Sequence, residues 1–373
     1  MFARPLTFLS AEEEFRYDTI VVGAGPSGLA SAFCLEQNEV RYLVLEGSSQ
    51  VVKSWHEVWD GFRLAQPVSE VTMPGLNLEA FDPHHHLARN EIIKVFEKYA
   101  VEHELKIKFN TKVISVKKNQ DDTYHVVTDK GNYTAENVIL SVGARQQPRF
   151  PSCVDKIPEE IRKAKIMHSA WYKSDKHFSP YSEILVVGSG RSALGIAEEL
   201  THQHKVTLSC KYTDVQIQKN NSHLQLGVTL EKLVKSHVQI VGELDDVSDE
   251  KAELHFRNQN ETVHLHRYEK VICATGFKTS YELLNQLLAQ PVPEHNNGVT
   301  MQPGLYLVGI PKVCEKTVTI TKGGQEAKNA VSDIKHRQQQ KVESSLRKNS
   351  VFRLEQVQQT GECVAGSRRE NSF

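Results

Sequence analysis

Thr19-Ile20-Val21-Val22-Gly23-Ala24-Gly25-Pro26-Ser27-Gly28 is the first patterned stretch of the chain, and Ile184-Leu185-Val186-Val187-Gly188-Ser189-Gly190-Arg191-Ser192-Ala193 repeats its design far downstream. Each run sets an aliphatic, β-branched strand before a glycine loop, and each loop opens a stretch with helical periodicity. In such a loop the first glycine makes a tight turn and the second lets a pyrophosphate reach the backbone. The third position lets helix and strand pack, and alanine is accepted there, as at Ala193. The helix that follows offers free N–H groups and the positive end of its dipole. A second short strand comes after each helix, Tyr42 to Leu45 and Val206 to Ser209, and 18 positions beyond each loop the charges differ: Glu46 after Gly28, Lys211 after Ala193. A carboxylate accepts hydrogen bonds from a ribose diol, whereas a cation suits a 2′-phosphate. The first loop, with Glu46 and Gly47, is therefore expected to take FAD, and the second, with Lys211 and the Ser209 hydroxyl, NADPH. Against this, an exposed lysine is commonly only a solvated charge, and Asp214 offers a nearby acid that would favour a ribose diol.

The chain of 373 residues, with 45 basic and 46 acidic side chains and a formal net charge of −1, is long enough for two or three domains with a sizeable core. This charge gives no reason to expect nucleic acid as a partner. No apolar run approaches the ~20 residues that cross a bilayer, and Glu12-Glu13-Glu14 stands where a secretory signal would be apolar. The expectation is a cytoplasmic protein with no transmembrane segment, with a homodimer left open.

Six cysteines, Cys34, Cys153, Cys210, Cys273, Cys314 and Cys363, form no C-x-x-C pair, so the sequence gives no close dithiol for electron relay, and reduced core or surface thiols are expected. His84-His85-His86 points three ways with no second ligand group at regular spacing, so no metal site is expected there.

Read for organisation, residues 1–16 form a tail. Residues 17–147 and 269–341 form a discontinuous FAD-binding domain, 148–181 a linker, 182–268 an inserted NADPH-binding domain, and 342–373 a disordered polar tail. The fold class is α/β with two Rossmann-like dinucleotide-binding domains in a three-layer ββα arrangement. Ser48 to Leu87, with Trp55, Trp59 and Phe62, is too long for a plain connection and is expected to serve function. Asn90 is placed to cap a helix, strands are expected at Lys112 to Lys117, Tyr124 to Asp129 and Asn132 to Val142, and Gly323-Gly324 opens a last helix ending near Lys341.

Several further stretches carry a resemblance: Ser54-Trp55, Asp60-Gly61-Phe62-Arg63-Leu64, Met73-Pro74-Gly75-Leu76, Pro148 to Pro151, His168-Ser169-Ala170-Trp171-Tyr172, Ala274-Thr275-Gly276-Phe277 and Gly309. With the two glycine loops they resemble the class B flavin-containing monooxygenases, in the branch of short bacterial flavoproteins and plant auxin-forming enzymes, over Tyr17 to about Ser332. The resemblance implies that Trp55 and Arg63 line the flavin side of the insertion and that Val113 lies by the adenine. It also implies that Gly309 with Gly324 and Gln325 approaches the ribityl chain and ring, and that Ala274 and Thr275 adjoin NADP. The family fingerprint F-x-G-x-x-x-H-x-x-x-Y is only half kept: His168 and Tyr172 stand in place, but Arg162 and Ala164 occupy the Phe and Gly positions. Tyr172 leans towards nitrogen or sulfur oxygenation, and His168 reads more as a hydrogen-bonded linker residue than a proton carrier. The segment from Lys211 to Val271 is shorter than in the plant and animal relatives.

The implied activity is hydride transfer from NADPH to FAD, then reaction with molecular oxygen to a C4a-hydroperoxyflavin. That species oxygenates a small nucleophilic nitrogen or sulfur compound or a keto acid in a dry cavity. No catalytic side chain is fixed by the sequence; Gln66, a polar residue in the insertion, is a candidate for bonding the flavin edge. Two alternatives remain open: an NADPH oxidase or flavin-dependent reductase without oxygen insertion, and a non-catalytic dinucleotide sensor.

Overall fold

A computed structural model describes residues 15–143, 147–211, 230–248, 252–257, 262–278, 281–312 and 318–365. The first glycine loop connects strand Arg16–Val22 to helix Pro26–Gln37. Arg16–Val22 pairs parallel with Tyr42–Leu45 on one side and Gly131–Leu140 on the other, and Ile107–Lys108 and Leu305–Leu307 extend the parallel sheet. An antiparallel hairpin, Val113–Lys118 with Tyr124–Thr128, adds to the early half of Gly131–Leu140.

Both faces of this sheet are covered, which is why its strands read as continuous apolar runs. Val21 belongs to the cluster under helices Pro26–Gln37, Arg89–Glu102 and Ile320–Ala365, while its neighbours Ile20 and Val22 belong to the opposite cluster with the hairpin and helix Tyr281–Leu288. That alternation is the period of two of a strand packed on both sides. The helix Pro26–Gln37 starts on proline, whose missing N–H costs nothing there. Its small residues Ala30 and Ala32 share one cluster with Ala327 and Ala330 of the last helix, so the two helices approach closely.

The second unit repeats the plan on a smaller scale. Five parallel strands run in the order Gln239–Val241, Lys205–Ser209, Glu183–Val187, Lys270–Cys273, Ile166–His168. Helix Arg191–Leu200 covers one face, and a small antiparallel sheet of Leu244–Val247, Glu253–Phe256 and Val263–His264 covers the other.

The domain boundaries expected from sequence are corrected at three places. The stretch 148–181, expected as a linker, contributes strand Ile166–His168 to the second sheet and Cys153, Val154 and Ile157 to its core. Strand Lys270–Cys273, expected in the first domain, lies inside the second sheet between Glu183–Val187 and Ile166–His168. Periodicity marks a buried strand but not the sheet that will hold it. The last helix runs Ile320–Ala365, starting before Gly323 and passing the expected end near Lys341 into the stretch expected to be disordered. The added residues are rich in Glu, Gln, Lys, Arg and Leu, good helix formers, with no proline to stop them. The helix expected to be capped by Asn90 runs Arg89–Glu102; its start is held instead by the Glu91 carboxylate, which accepts the Ala88 N–H at 2.7 Å. Residues 1–14, Asp214, Cys314 and residues 366–373 lie outside the described residues.

Candidate functional site

A cavity of about 2110 Å³ lies between the two units, where the parallel strands of both sheets end. This is where α/β sheets offer loops and helix N-termini to a ligand. The first loop contributes Gly23, Gly25, Pro26 and Ser27, with Glu46; the second contributes Gly188, Ser189, Gly190, Arg191 and Ser192, with Lys211. The insertion adds Trp55, Arg63 and Gln66, and Gly309, Ala274 and Thr275 close the far wall.

At both loops the geometry divides the glycines by task. A Cβ on Gly25 or Gly190 would meet no atom within 4 Å, so the backbone there is open to a ligand. Gly23 has φ 100° and a Cβ on it would stand 2.6 Å from the Ser141 carbonyl oxygen, so it is needed for the turn itself. Ala24 and Ala193 are fully buried behind the loops and Gly28 is buried with them, so these three pack the helices and do not line the cavity.

Glu46 is held by two backbone donors, Ala24 N–H to Oε2 and Ser48 N–H to Oε1, each at 2.8 Å. Two carboxylate oxygens carry about four acceptor sites, so each retains capacity for a hydroxyl donor. Gly47 and Val113 are set aside from the cavity; Val113 starts the hairpin opposite Thr128, so its expected position by the adenine is not supported by the lining. Gly309, with φ 75°, lets the chain pass Ser27, whose Oγ would be 2.1 Å from a Cβ there; its N–H donates to the buried Glu326 carboxylate at 2.8 Å.

The expected helix start at Gly324 and Gln325 is displaced. Gly324 packs on Met73 and Pro74, and Gln325 is exposed and bonds Asn329. The helix begins a turn earlier, so Thr319 and Ile320 line the cavity instead, and Thr319 Oγ1 accepts the Lys322 N–H at 3.1 Å as a cap. Sequence reading placed the start at the glycine pair because glycines commonly mark a boundary.

At the second loop, the Lys211 N–H donates to Ser189 Oγ at 2.8 Å, which ties the strand end to the loop. The Lys211 ammonium is not a lone cation, because Glu243 Oε1 stands 3.6 Å from its Nζ. This acid lies 32 residues further along the chain, beyond the reach of any spacing argument from the loop. The Ser209 hydroxyl, expected to aid a 2′-phosphate, is committed elsewhere: it donates to the Gly242 carbonyl and accepts the Leu244 N–H, both at 2.9 Å.

The insertion clasps the second unit. Val58 and Trp59 belong to that unit's apolar cluster, and a Cβ on Gly195 would stand 3.2 Å from the Trp59 ring. Lys173 Nζ donates to the Glu57 carbonyl, and Asp60 N–H to the Lys173 carbonyl. Gly61 has no side chain because Glu199 Oε2 would be 2.1 Å from a Cβ there. Tyr172 O–H donates to Glu199 Oε1 at 2.8 Å, and burial pushes both the Glu199 carboxyl and the Tyr172 phenol above their usual ranges. His168 is fully buried; its Nε2 donates to the Gly276 carbonyl at 2.9 Å and its Nδ1 accepts the Ala170 N–H at 3.1 Å. With both nitrogens used and burial lowering its pKa, it ties the end of strand Ile166–His168 to the Gly276 turn as a neutral ring. His85 and His86 likewise take separate partners, Glu91 and the Leu64 carbonyl. Burial pushes the Cys34 thiol up to about 11 and Cys273 up to about 12, and raises Cys153, which leaves these three poor nucleophiles.

A family model described as pyridine nucleotide-disulphide oxidoreductase matches residues 20–309. The uncharacterized oxidoreductase CzcO of Bacillus subtilis (strain 168) is 28% identical over 351 residues, 85% of this chain and 99% of its own length. The probable indole-3-pyruvate monooxygenase YUCCA1 of Arabidopsis thaliana is 29% identical over 188 residues, 50% of this chain and 44% of its own. A solved flavin-containing monooxygenase from Stenotrophomonas maltophilia has a TM-score of 0.71 at 18% identity, covering 87% of this chain and 99% of that one. The bacillithiol disulfide reductase YpdA of Staphylococcus aureus has a TM-score of 0.70 at 16% identity, covering 87% and 99%. The expected fold class and the likeness to flavin monooxygenases are both borne out. Among the described residues no helix is long and apolar enough to cross a membrane.

Proposed function

Because the chain belongs to the pyridine nucleotide-disulphide oxidoreductase family, whose model spans residues 20–309, we propose that it is a flavin-dependent monooxygenase that takes FAD at the first glycine loop and NADPH at the second. The observation that carries the reading is the single cavity onto which both loops open, with Glu46 and Lys211 on its wall. The open backbone at Gly25 and Gly190 fits two pyrophosphates, and the twice-bonded Glu46 carboxylate fits a ribose diol. The first unit is thus the FAD-binding domain and the second the NADPH-binding domain.

When bound, FAD supplies hydride acceptance from NADPH and activation of oxygen for transfer to a small amine, sulfide or keto acid. The protein's part is to position and to exclude water. The N-termini of helices Pro26–Gln37 and Arg191–Leu200 line the cavity and would hold the phosphate charge of the two cofactors. Trp55, Trp59 and Phe62 pack edge to face, with ring centroids 5.4 Å and 5.0 Å apart, and form an apolar wall on the insertion side. Gln66, half-buried on the same wall, supplies an amide for the flavin edge or the substrate.

A reductase without oxygen insertion is the second reading, favoured by the fold shared with YpdA. A dithiol form of it is weakened by the raised thiols. The test is to reduce the flavoprotein with NADPH without oxygen, mix with oxygen, and measure peroxide and oxygenated product for an amine, a sulfide and a keto acid. Oxygenated product with peroxide well below NADPH consumed supports the monooxygenase. Peroxide equal to NADPH with every substrate supports the second reading, and protein purified without flavin overturns both in favour of a dinucleotide sensor.

A further inference from the structure

We infer that Glu243 sets the coenzyme preference of the second site by holding the charge of Lys211 away from a 2′-phosphate. The inference rests on the reading of that loop as a nicotinamide-dinucleotide site. Lys211 and Glu243 both line the cavity, together with Ser189 and Arg191 of the loop. Glu243 Oε1 is 3.6 Å from Lys211 Nζ, and Glu243 Oε2 is 3.1 Å from Arg257 Nη1; Arg257 is bound in turn by Asp245 at 2.8 Å.

The acid's position is built into the fold. The Ser209 hydroxyl grips residues on both sides of Glu243, donating to the Gly242 carbonyl and accepting the Leu244 N–H. Gly242 lacks a side chain because a Cβ there would fall 1.9 Å from the Arg257 carbonyl oxygen. The Arg257 N–H closes the turn onto the Glu243 carbonyl at 2.8 Å. A carboxylate so fixed at a strand end accepts hydrogen bonds from a ribose diol and repels a phosphate. A 2′-phosphate must therefore displace it from Lys211 and tolerate its charge, whereas NADH finds a ready acceptor. The net result is a preference for NADPH smaller than Lys211 alone would give.

The test uses the full-length flavoprotein and calorimetric binding of adenosine 2′,5′-bisphosphate and of 5′-AMP, with melting curves to confirm that each variant is folded. Glu243→Gln is expected to raise the ratio of bisphosphate to AMP affinity by roughly threefold to tenfold. In a Lys211→Ala background the same substitution is expected to shift the ratio much less, because it acts through that cation. Glu243→Asp is expected to stay near the unaltered ratio. An unchanged ratio in folded Glu243→Gln, or a shift of equal size without Lys211, overturns the inference while leaving the dinucleotide site in place. Failure of both nucleotides to bind the unaltered protein overturns the dinucleotide reading and the inference with it.

Discussion

The two glycine loops share a backbone plan but differ in tolerance and in how their charged partner is held. In the first, a Cβ at Gly28 would stand 1.9 Å from the Gly23 carbonyl oxygen, so the helix presses hard on the loop. In the second, Ala193 occupies the same place with its Cβ fully buried, and it is Gly188 that must stay bare, since a Cβ there would stand 2.4 Å from the Ala274 carbonyl oxygen. The charged partners differ in the same sense. Both Glu46 oxygens are fixed by backbone N–H groups, whereas the exposed Lys211 ammonium is shared with Glu243. The first loop's acid is held by backbone donors alone, while the second loop's cation is paired with a neighbouring side-chain charge.

The strongest test of this contrast is reciprocal substitution at the third loop position. Gly28→Ala is expected to abolish flavin retention and lower the melting temperature, since relieving the overlap costs about 1–3 kcal/mol or more. Ala193→Gly is expected to change both only slightly. Flavin absorbance per protein after dialysis distinguishes them, and a fully yellow Gly28→Ala protein breaks the comparison.

Next in size is Glu46→Ala. Loss of one or two charge-assisted hydrogen bonds, each worth roughly 1.5–3 kcal/mol, is expected to weaken FAD binding at least about tenfold. Titration of apoprotein with FAD by flavin fluorescence gives the constant. Lys211→Ala is expected to do less: it keeps its FAD, and the rate advantage of NADPH over NADH in reducing the flavin, at subsaturating coenzyme, shrinks by at most about tenfold. Equal rates in the unaltered protein mean that Glu243 already cancels the preference.

A subtler effect concerns the clasp between the units. Burial raises the Glu199 pKa above its ordinary value of 4.5, so the folded state holds that proton more tightly than the unfolded chain does. Its contribution to stability is full below 4.5 and is lost as pH rises through the folded value. Glu199→Gln keeps an acceptor for Tyr172 and is expected to flatten this loss, so that melting temperature falls less over that window than in the unaltered protein. The smallest effect is expected from truncation after Lys341. The described residues beyond it include exposed Val342 and Leu346, and flavin content should not change.

Much of this was written along the chain. Thr19 to Gly28 and Ile184 to Ala193 determine two strand-loop-helix units, because tight turns and close helix packing are local demands met by residues a few positions apart. The opposite charges of Glu46 and Lys211 are equally legible, since one helix and one strand fix their distance from the loop. What the tertiary structure alone decided is set by residues distant in sequence. The expected linker carries strand Ile166–His168 of the second sheet, because an apolar run states that it is buried and not beside what. Glu199 meets Gly61, Trp59 enters the second core, and Glu243 reaches Lys211 because separate elements are folded against one another, and side-chain periodicity carries no information about such meetings. The sequence by itself determined two strand-glycine-helix loops with opposite charges at one spacing; the packing of the chain decided that they open onto one cavity and that the second loop's cation has a counter-charge.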